Sequence, residues 1–201
     1  MYIIGITGGS GAGKSIAVKT LQTLGAVALD CDAIYHELLM SDAEMITEIK
    51  SRFEGVFSGE TIDRKKLGEI VWNDPQSLRD LNKITHRFII NEVNKRIDTY
   101  RAQGSKIAAI DAIALIESGQ SDLCDVVIGI TAPPEKRLSR IMERDDIAQE
   151  YAQKRISAQQ PDSYYINNCD HILENTHGTP SEFESKCKEF FSQLIRRIDH
   201  E

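Results

Sequence analysis

The octapeptide Gly8-Gly9-Ser10-Gly11-Ala12-Gly13-Lys14-Ser15 fits the pattern G-x-x-x-x-G-K-[ST] and restricts the possible folds more than any other part of the chain. An apolar run, Tyr2 to Ile6, leads into it, and an apolar-periodic stretch with Ile16, Val18, Leu21 and Leu24 leads out. A strand, a glycine-rich turn and a helix in that order wrap backbone N–H groups around a small space at a helix N-terminus. The aligned peptide dipoles there add about half a positive charge, so an anion is the natural occupant. In such a loop Lys14 reaches the β- and γ-phosphates of ATP, and Ser15 gives its hydroxyl oxygen to Mg2+. Nucleotide contacts are therefore expected from Gly9, Gly11, Ala12, Gly13, Lys14, Ser15 and Ile16. The competing reading, a glycine-rich turn of no function, leaves a flexible run that costs stability and a lysine that opposes the helix dipole.

Short apolar runs recur along the chain at Tyr2 to Ile6, Ala26 to Leu29, Ile107 to Ile110, Val126 to Ile130 and His171 to Leu173, with longer amphipathic stretches between them. They are mostly unalternating, as strands of a parallel sheet covered on both faces should be. The class is α/β, a doubly wound parallel five-stranded sheet carrying a phosphate-binding loop. Helix starts are marked by Asp74 before Pro75 and by Thr179-Pro180 with Glu182 at the capping-box position, so the last helix is expected over Pro180 to Ile198. Residues 42–103 carry no strand-like run but do carry helical spacing, as in Leu78, Leu81, Ile84, Phe88, Ile89 and Val93. The expected organisation is one domain: a core over 1–41, 104–135 and 160–201, a helical insertion over 42–103, and a charged lid over 136–159.

With 24 basic and 31 acidic residues the net charge is −7, which argues against a general nucleic-acid binder. The four cysteines (Cys31, Cys124, Cys169, Cys187) form no C-x-x-C pair and no zinc-type cluster, and are expected to be reduced and structural. No apolar run approaches a membrane span and no basic leader precedes the first strand, so a cytoplasmic protein without a membrane partner is expected.

Three further constellations bear on chemistry. Asp111 closes the third strand, either as the carboxylate of a Walker B element or as an ordinary capping residue. The second strand runs into Asp30-Cys31-Asp32, and its end is expected beside the phosphate loop. Asp32 there is either the acceptor of a substrate hydroxyl proton or the N-cap of the following helix. His36, one helical turn later, either touches substrate or supports Asp32. Arg137, Arg140 and Arg144 share a helical face, so that an anion gathers them, as phosphoryl-transfer enzymes arrange, or Glu143 and Asp145 pair with them. The D-x-x-G and N-K-x-D elements of a regulatory GTPase are missing: no Asp precedes any of the thirteen glycines by three residues, and Asn82-Lys83-Ile84-Thr85 lacks the acid. A small-molecule kinase is favoured.

In their order these elements resemble the dephospho-coenzyme A kinase family over nearly the whole chain. The resemblance rests on Ile6-Thr7-Gly8-Gly9, Asp30-Cys31-Asp32 with His36, Ile62-Asp63-Arg64-Lys65-Lys66-Leu67, His86, and Asp111 with Glu117. It continues through Arg140 to Asp145, Arg155-Ile156 with Gln159, and Asp170 with Asn175. Membership implies transfer of the ATP γ-phosphate to the ribose 3′-hydroxyl of dephospho-CoA, with Asp32, Lys14, Arg140 and Arg144 as catalytic residues. It further implies substrate contacts from Thr7, His36, Arg64, His86, Asp111 and Glu117, and places Asn175 near the adenine of ATP. The helical insertion would hold the pantetheine side of the acceptor. The chain departs from the family pattern at Ile113, Ala114, Ile116, Arg87 and Ile16 while keeping the Asp111-to-Glu117 spacing. A nucleoside or nucleoside-monophosphate kinase is the alternative enzyme, and a nucleotide-binding regulator without transfer activity the alternative outside enzymes. Segment by segment, 1–25, 61–100 and 136–160 each carry +2, so local positive charge falls where these readings put phosphates.

Overall fold

Strands form at β1 (Tyr2–Thr7), β2 (Val27–Asp30), β3 (Phe57–Ser58), β4 (Thr61–Ile62), β5 (Ile107–Asp111), β6 (Val126–Thr131) and β7 (His171–Glu174) in a computed structural model that describes residues 1–59, 61–176 and 178–198. The five strands expected from the apolar runs make one sheet in the order β2-β5-β1-β6-β7. Parallel ladders join β1 to β5, β1 to β6 and β6 to β7. Nine helices are placed among the described residues: α1 (Lys14–Thr23), α2 (Cys31–Ser41), α3 (Ala43–Arg52), α4 (Arg64–Asn73), α5 (Pro75–Ala102), α6 (Pro134–Asp145), α7 (Gln149–Ser157), α8 (Asp162–Asn168) and α9 (Pro180–Ile198). None is long and apolar enough to cross a membrane.

Two compact units result, one of residues 1–29 with the chain from 100 onward, the other of residues 30–99. In the sheet unit, one face packs Ile4 and Ile6 of β1 and Ile128 and Ile130 of β6 against Ala17 and Leu21 of α1 and Phe183, Cys187 and Phe191 of α9. All are fully buried, and each large apolar side chain so placed stabilises the fold by about 1.5–3 kcal/mol. The opposite face is built around glycines in the strands. A Cβ on Gly5 would lie 2.6 Å from Leu115 and 2.8 Å from Cys124 Sγ, and one on Gly129 would lie 2.7 Å from Ile172 and 3.0 Å from Cys169 Sγ. The cysteines are free thiols, as expected. Burial pushes the thiols of Cys124 and Cys187 up to about 12 and that of Cys169 up to about 11, which keeps them protonated and unreactive.

The helical unit contains α2, which the expected organisation left with the core, along with α3, α4 and most of α5. It also corrects the expectation that 42–103 lacks strands: β3 and β4 form an antiparallel hairpin, Phe57 opposite Ile62. Two residues per strand are too few to generate an alternating pattern. Helix caps follow the sequence. Asp74 accepts from Ser77 N at 2.9 Å before α5, and Thr179 and Glu182 exchange bonds across the start of α9.

Strand order departs from chain order, since β5 lies between β2 and β1. The neighbour of β1 on that side is therefore the strand ending in Asp111, whose Cα pairs with Ile6.

Candidate active site

The loop between β1 and α1 exposes amides because every one of its carbonyls is occupied. Gly8 O accepts from Lys14 Nζ at 2.8 Å and Gly9 O from Ala12 N at 3.2 Å. Ser10 O accepts from Arg137 Nε at 3.0 Å, Gly11 O from Arg140 Nη1 at 3.1 Å and Ala12 O from Asn175 Nδ2 at 2.9 Å. Gly13 O accepts from Ile16 N at 3.0 Å, the first turn of α1. A carbonyl held by such a donor cannot turn its negative end toward an incoming anion. No side chain caps α1, and no acid lies in its first turn, so the positive end of that helix is directed at the same space.

Backbone geometry enforces this arrangement. Gly13 sits at φ 112°, where a side chain is strained, and a Cβ on it would lie 2.6 Å from Asn175 Nδ2. A Cβ on Gly9 would overlap the guanidinium of Arg137. Lys14 spans the loop from the first residue of α1 back to Gly8, and Ser15 follows it, exposed. Thr7 Oγ1 donates to Ile113 O at 3.0 Å, and Ala112 N donates to Ile6 O at 3.2 Å. These two bonds fasten the segment after Asp111 to the end of β1, so the strand-end carboxylate stands next to the start of the loop.

The three arginines of α6 do not act as one face. Arg137, 4% exposed, lies under the loop, with Ser10 O, Gln159 Oε1 (2.9 Å) and Asp162 Oδ1 (3.4 Å) as acceptors. Arg140 donates to the neutral acceptors Gly11 O and Asn175 Oδ1, and burial pulls its guanidinium below the usual arginine range. A desolvated cation on neutral partners gains from an added anion. Arg144 is paired with Asp145, which also accepts from Arg155. The hydrogen bond from Arg144, with the nearby charges, holds the Asp145 carboxyl down at about 2. Asn175, expected near adenine, is 1% exposed and is engaged by the loop and Arg140. Glu117 is exposed; burial raises the pKa values of Tyr164, Tyr165 and Cys169, and the charge of Glu117 adds to each rise.

In the helical unit, the capping alternative for Asp32 falls away. Asp30 is the N-cap of α2, accepting from Ala33 N at 3.0 Å, and Asp32 stands exposed in the first turn. One turn on, His36 Nε2 accepts from Arg64 Nη2 at 3.1 Å; a guanidinium has no lone pair, so this nitrogen carries no proton in that bond. Arg64 is the first residue of α4, positioned by the Asp63 cap, whose carboxylate accepts from Lys65 N and Lys66 N at 3.1 Å. The structure thus brings together His36 and Arg64, two residues 28 apart in sequence. His86, on α5, is half-buried, and burial lowers its pKa.

Sequence reasoning did not single out Gln159 for a role, nor the way Arg137 and Gln159 both hold Ser10. One signal was available: Arg137 falls four residues before Ile141 on the buried side of α6, an unusual place for a charge. Asp170, which the resemblance includes without a role, has a structural contact. Asp170 precedes β7, at the end of the sheet opposite the loop, where its carboxylate accepts from Val127 N at 2.8 Å. Asp125 does the same for Ile3 N at 2.7 Å.

The dephospho-CoA kinase family model matches residues 2–181. The curated dephospho-CoA kinase of Lactobacillus johnsonii is 32% identical over 197 residues, covering 97% of this chain and 99% of its own. A crystal structure from Thermus thermophilus matches with a TM-score of 0.76 at 27% identity, over 96% of this chain and 97% of that one. The dephospho-CoA kinase from Campylobacter jejuni matches with a TM-score of 0.67 at 26% identity, over 96% of both chains.

Proposed function

The chain belongs to the dephospho-CoA kinase family, and from that premise we propose that it transfers the γ-phosphoryl group of ATP to the ribose 3′-hydroxyl of dephospho-CoA, giving CoA and ADP in the last step of CoA biosynthesis. The observation that carries the reading is the loop of residues 8–13, whose carbonyls are all occupied and which runs into an uncapped helix. That is an anion cradle built from amides. A single helix start suits the few phosphates of a nucleotide, and the net charge of −7 disfavours a long polyanion.

In this mechanism loop amides between Gly9 and Ser15 hold the phosphates, with Ser10 N–H kept by Gln159 and Ala12 N by Gly9 O, and Lys14 leaves Gly8 O for the β- and γ-phosphate oxygens. Ser15 and Asp111 are hard oxygen donors at the cradle, the type that suits Mg2+, and Ser15 would hold the ion directly. When bound, the ion would supply neutralisation of phosphate charge. Asp32 aligns the 3′-hydroxyl and takes its proton as the oxygen bonds to phosphorus and the bond to the ADP oxygen breaks. A carboxylate is a weak base, but a loose transition state asks mainly for alignment. Arg140 and Arg144 meet the charge that builds on the transferred group, and α6 and α7 act as the lid. For Arg144 this requires exchange of Asp145 for phosphate oxygen. Asn175 contributes to ATP binding by holding the loop at Ala12. His36, Arg64, His86 and Glu117 contact the acceptor, whose pantetheine arm lies along the helical insertion, and Thr7 holds the segment after Asp111 in place. We place the enzyme in the cytoplasm, acting on small molecules.

The test is an acceptor screen. Purified protein with Mg-ATP is assayed by coupled ADP release against dephospho-CoA, nucleosides and nucleoside monophosphates. Turnover of dephospho-CoA above all others is expected; failure on it together with turnover of a nucleoside or monophosphate would replace the reading.

A further inference from the structure

Ser10 occupies a wildcard position of the loop motif, yet all three of its polar groups are held by two side chains. Its N–H donates to Gln159 Oε1 at 2.8 Å, its Oγ accepts from Gln159 Nε2 at 2.7 Å, and its carbonyl accepts from Arg137 Nε at 3.0 Å. The two side chains are joined to each other, Arg137 Nη2 donating to Gln159 Oε1 at 2.9 Å. Asp162 Oδ1, 3.4 Å from Arg137 Nη1, completes a set of acceptors for a guanidinium that is 4% exposed.

A buried cation is expensive unless its donors are met, and here the matching acceptors include the loop backbone itself. Gly9 is shaped to this neighbour, since any Cβ there would overlap the guanidinium. The arrangement differs in kind from that of Arg140, which bonds the loop while only partly withdrawn from solvent.

We propose that Arg137 is a positioning residue for phosphoryl transfer, acting with Gln159 through Ser10 to fix the direction of the loop amides and never touching nucleotide or acceptor. The inference rests on the kinase reading above. Two properties follow from its geometry. The planar fork, with Nε on Ser10 and Nη2 on Gln159, is what positions the loop, so positive charge alone does not replace it. The two side chains act on one residue, so their removal is not additive.

The test measures two affinities and a rate ratio in Arg137→Met, Arg137→Lys, Gln159→Leu and the double variant Arg137→Met/Gln159→Leu. Calorimetry with a non-hydrolysable Mg-ATP analogue gives nucleotide affinity, calorimetry with dephospho-CoA gives acceptor affinity, and initial rates give kcat/KM for ATP. Asp162 has a side chain 36% exposed and stays hydrated when its partner is removed, so Arg137→Met is expected to fold. A misdirected loop should lower kcat/KM for ATP about a hundredfold and weaken the analogue, with acceptor affinity unchanged. Arg137→Lys should fall to within about threefold of Arg137→Met, and the double variant should be no worse than the weaker single one. Full rescue by lysine, parallel loss of acceptor affinity, or wild-type behaviour of Arg137→Met overturns the proposal. Should Arg137→Met not fold, Gln159→Leu carries the same test with the same outcomes. Wild-type protein that binds the analogue but does not phosphorylate dephospho-CoA refutes the acceptor assignment alone, and one that binds no nucleotide refutes both.

Discussion

The two units build their sites from different materials. In the sheet unit the proposed phosphate contacts come from backbone, and side chains from α6, the segment before α9 and the turn after α7 bond the loop: Arg137, Arg140, Asn175 and Gln159. In the helical unit the proposed acceptor contacts come from side chains, an exposed Asp32 and a His36–Arg64 pair at helix starts and first turns. A backbone cradle demands glycines at fixed places and therefore writes a pattern into the sequence. A side-chain site demands only that a few polar residues project from helices, which many sequences allow.

The largest expected effect tests the cradle. Lys14→Ala should lower kcat/KM for ATP by about a thousandfold while the unfolding midpoint moves little, because the lysine's partner in the structure is a carbonyl of the loop. A thermal midpoint falling in step with activity would make Lys14 a structural residue. Next comes the helical unit. Asp32→Asn is expected to reduce kcat about a hundredfold with nucleotide affinity held, read by steady-state rates and calorimetry. Its counterpart Asp30→Ala, at the N-cap, should instead cost about 1 kcal/mol of stability in urea unfolding and spare kcat. Matching behaviour of the two variants would erase the distinction between cap and catalyst.

Smaller effects probe the sheet unit alone, through pH. The ordinary thiol value of 9.0 is raised to about 12 in Cys124 and Cys187 and about 11 in Cys169, all in the sheet unit. A raised value means that folding favours the protonated form, so the stabilisation is complete below pH 9 and is lost as pH rises through 11 to 12. Unfolding midpoints should fall over that interval, and Cys124→Ala should flatten the decline; an unchanged slope removes the thiol explanation. The smallest effect lies on the acid side. Asp145, held down at about 2 by Arg144 and then Arg155, is stabilising above its ordinary 3.8 and loses that contribution as pH falls through 2. Asp145→Asn should abolish this part of the acid dependence, measured as midpoints at pH 5, 3 and 2.

Much of the sheet unit was legible. The five apolar runs became its five strands to within a residue or so, and the α9 bounds matched at Pro180 and Ile198, because Pro at the first helical position and a Thr179–Glu182 box are local signals. The order of strands was not legible: β5 enters between β1 and β2 through long-range pairing that no local pattern encodes. The arginine face was half legible. Helical spacing grouped Arg137, Arg140 and Arg144, but their separate partners, Ser10, Gly11 and Asp145, come from three different parts of the chain.

By itself the sequence determined the glycine loop, since glycine suits φ 112° at residue 13 and Lys14 and Ser15 complete the pattern. It also determined the strands, the helix caps and, by resemblance, the family. Tertiary structure alone decided which distant side chains hold the loop carbonyls and Ser10. Those assignments depend on atoms brought within about 3 Å across more than a hundred residues of chain, as with Arg137 and Ser10, 127 apart, and such approach is a property of packing rather than of spacing.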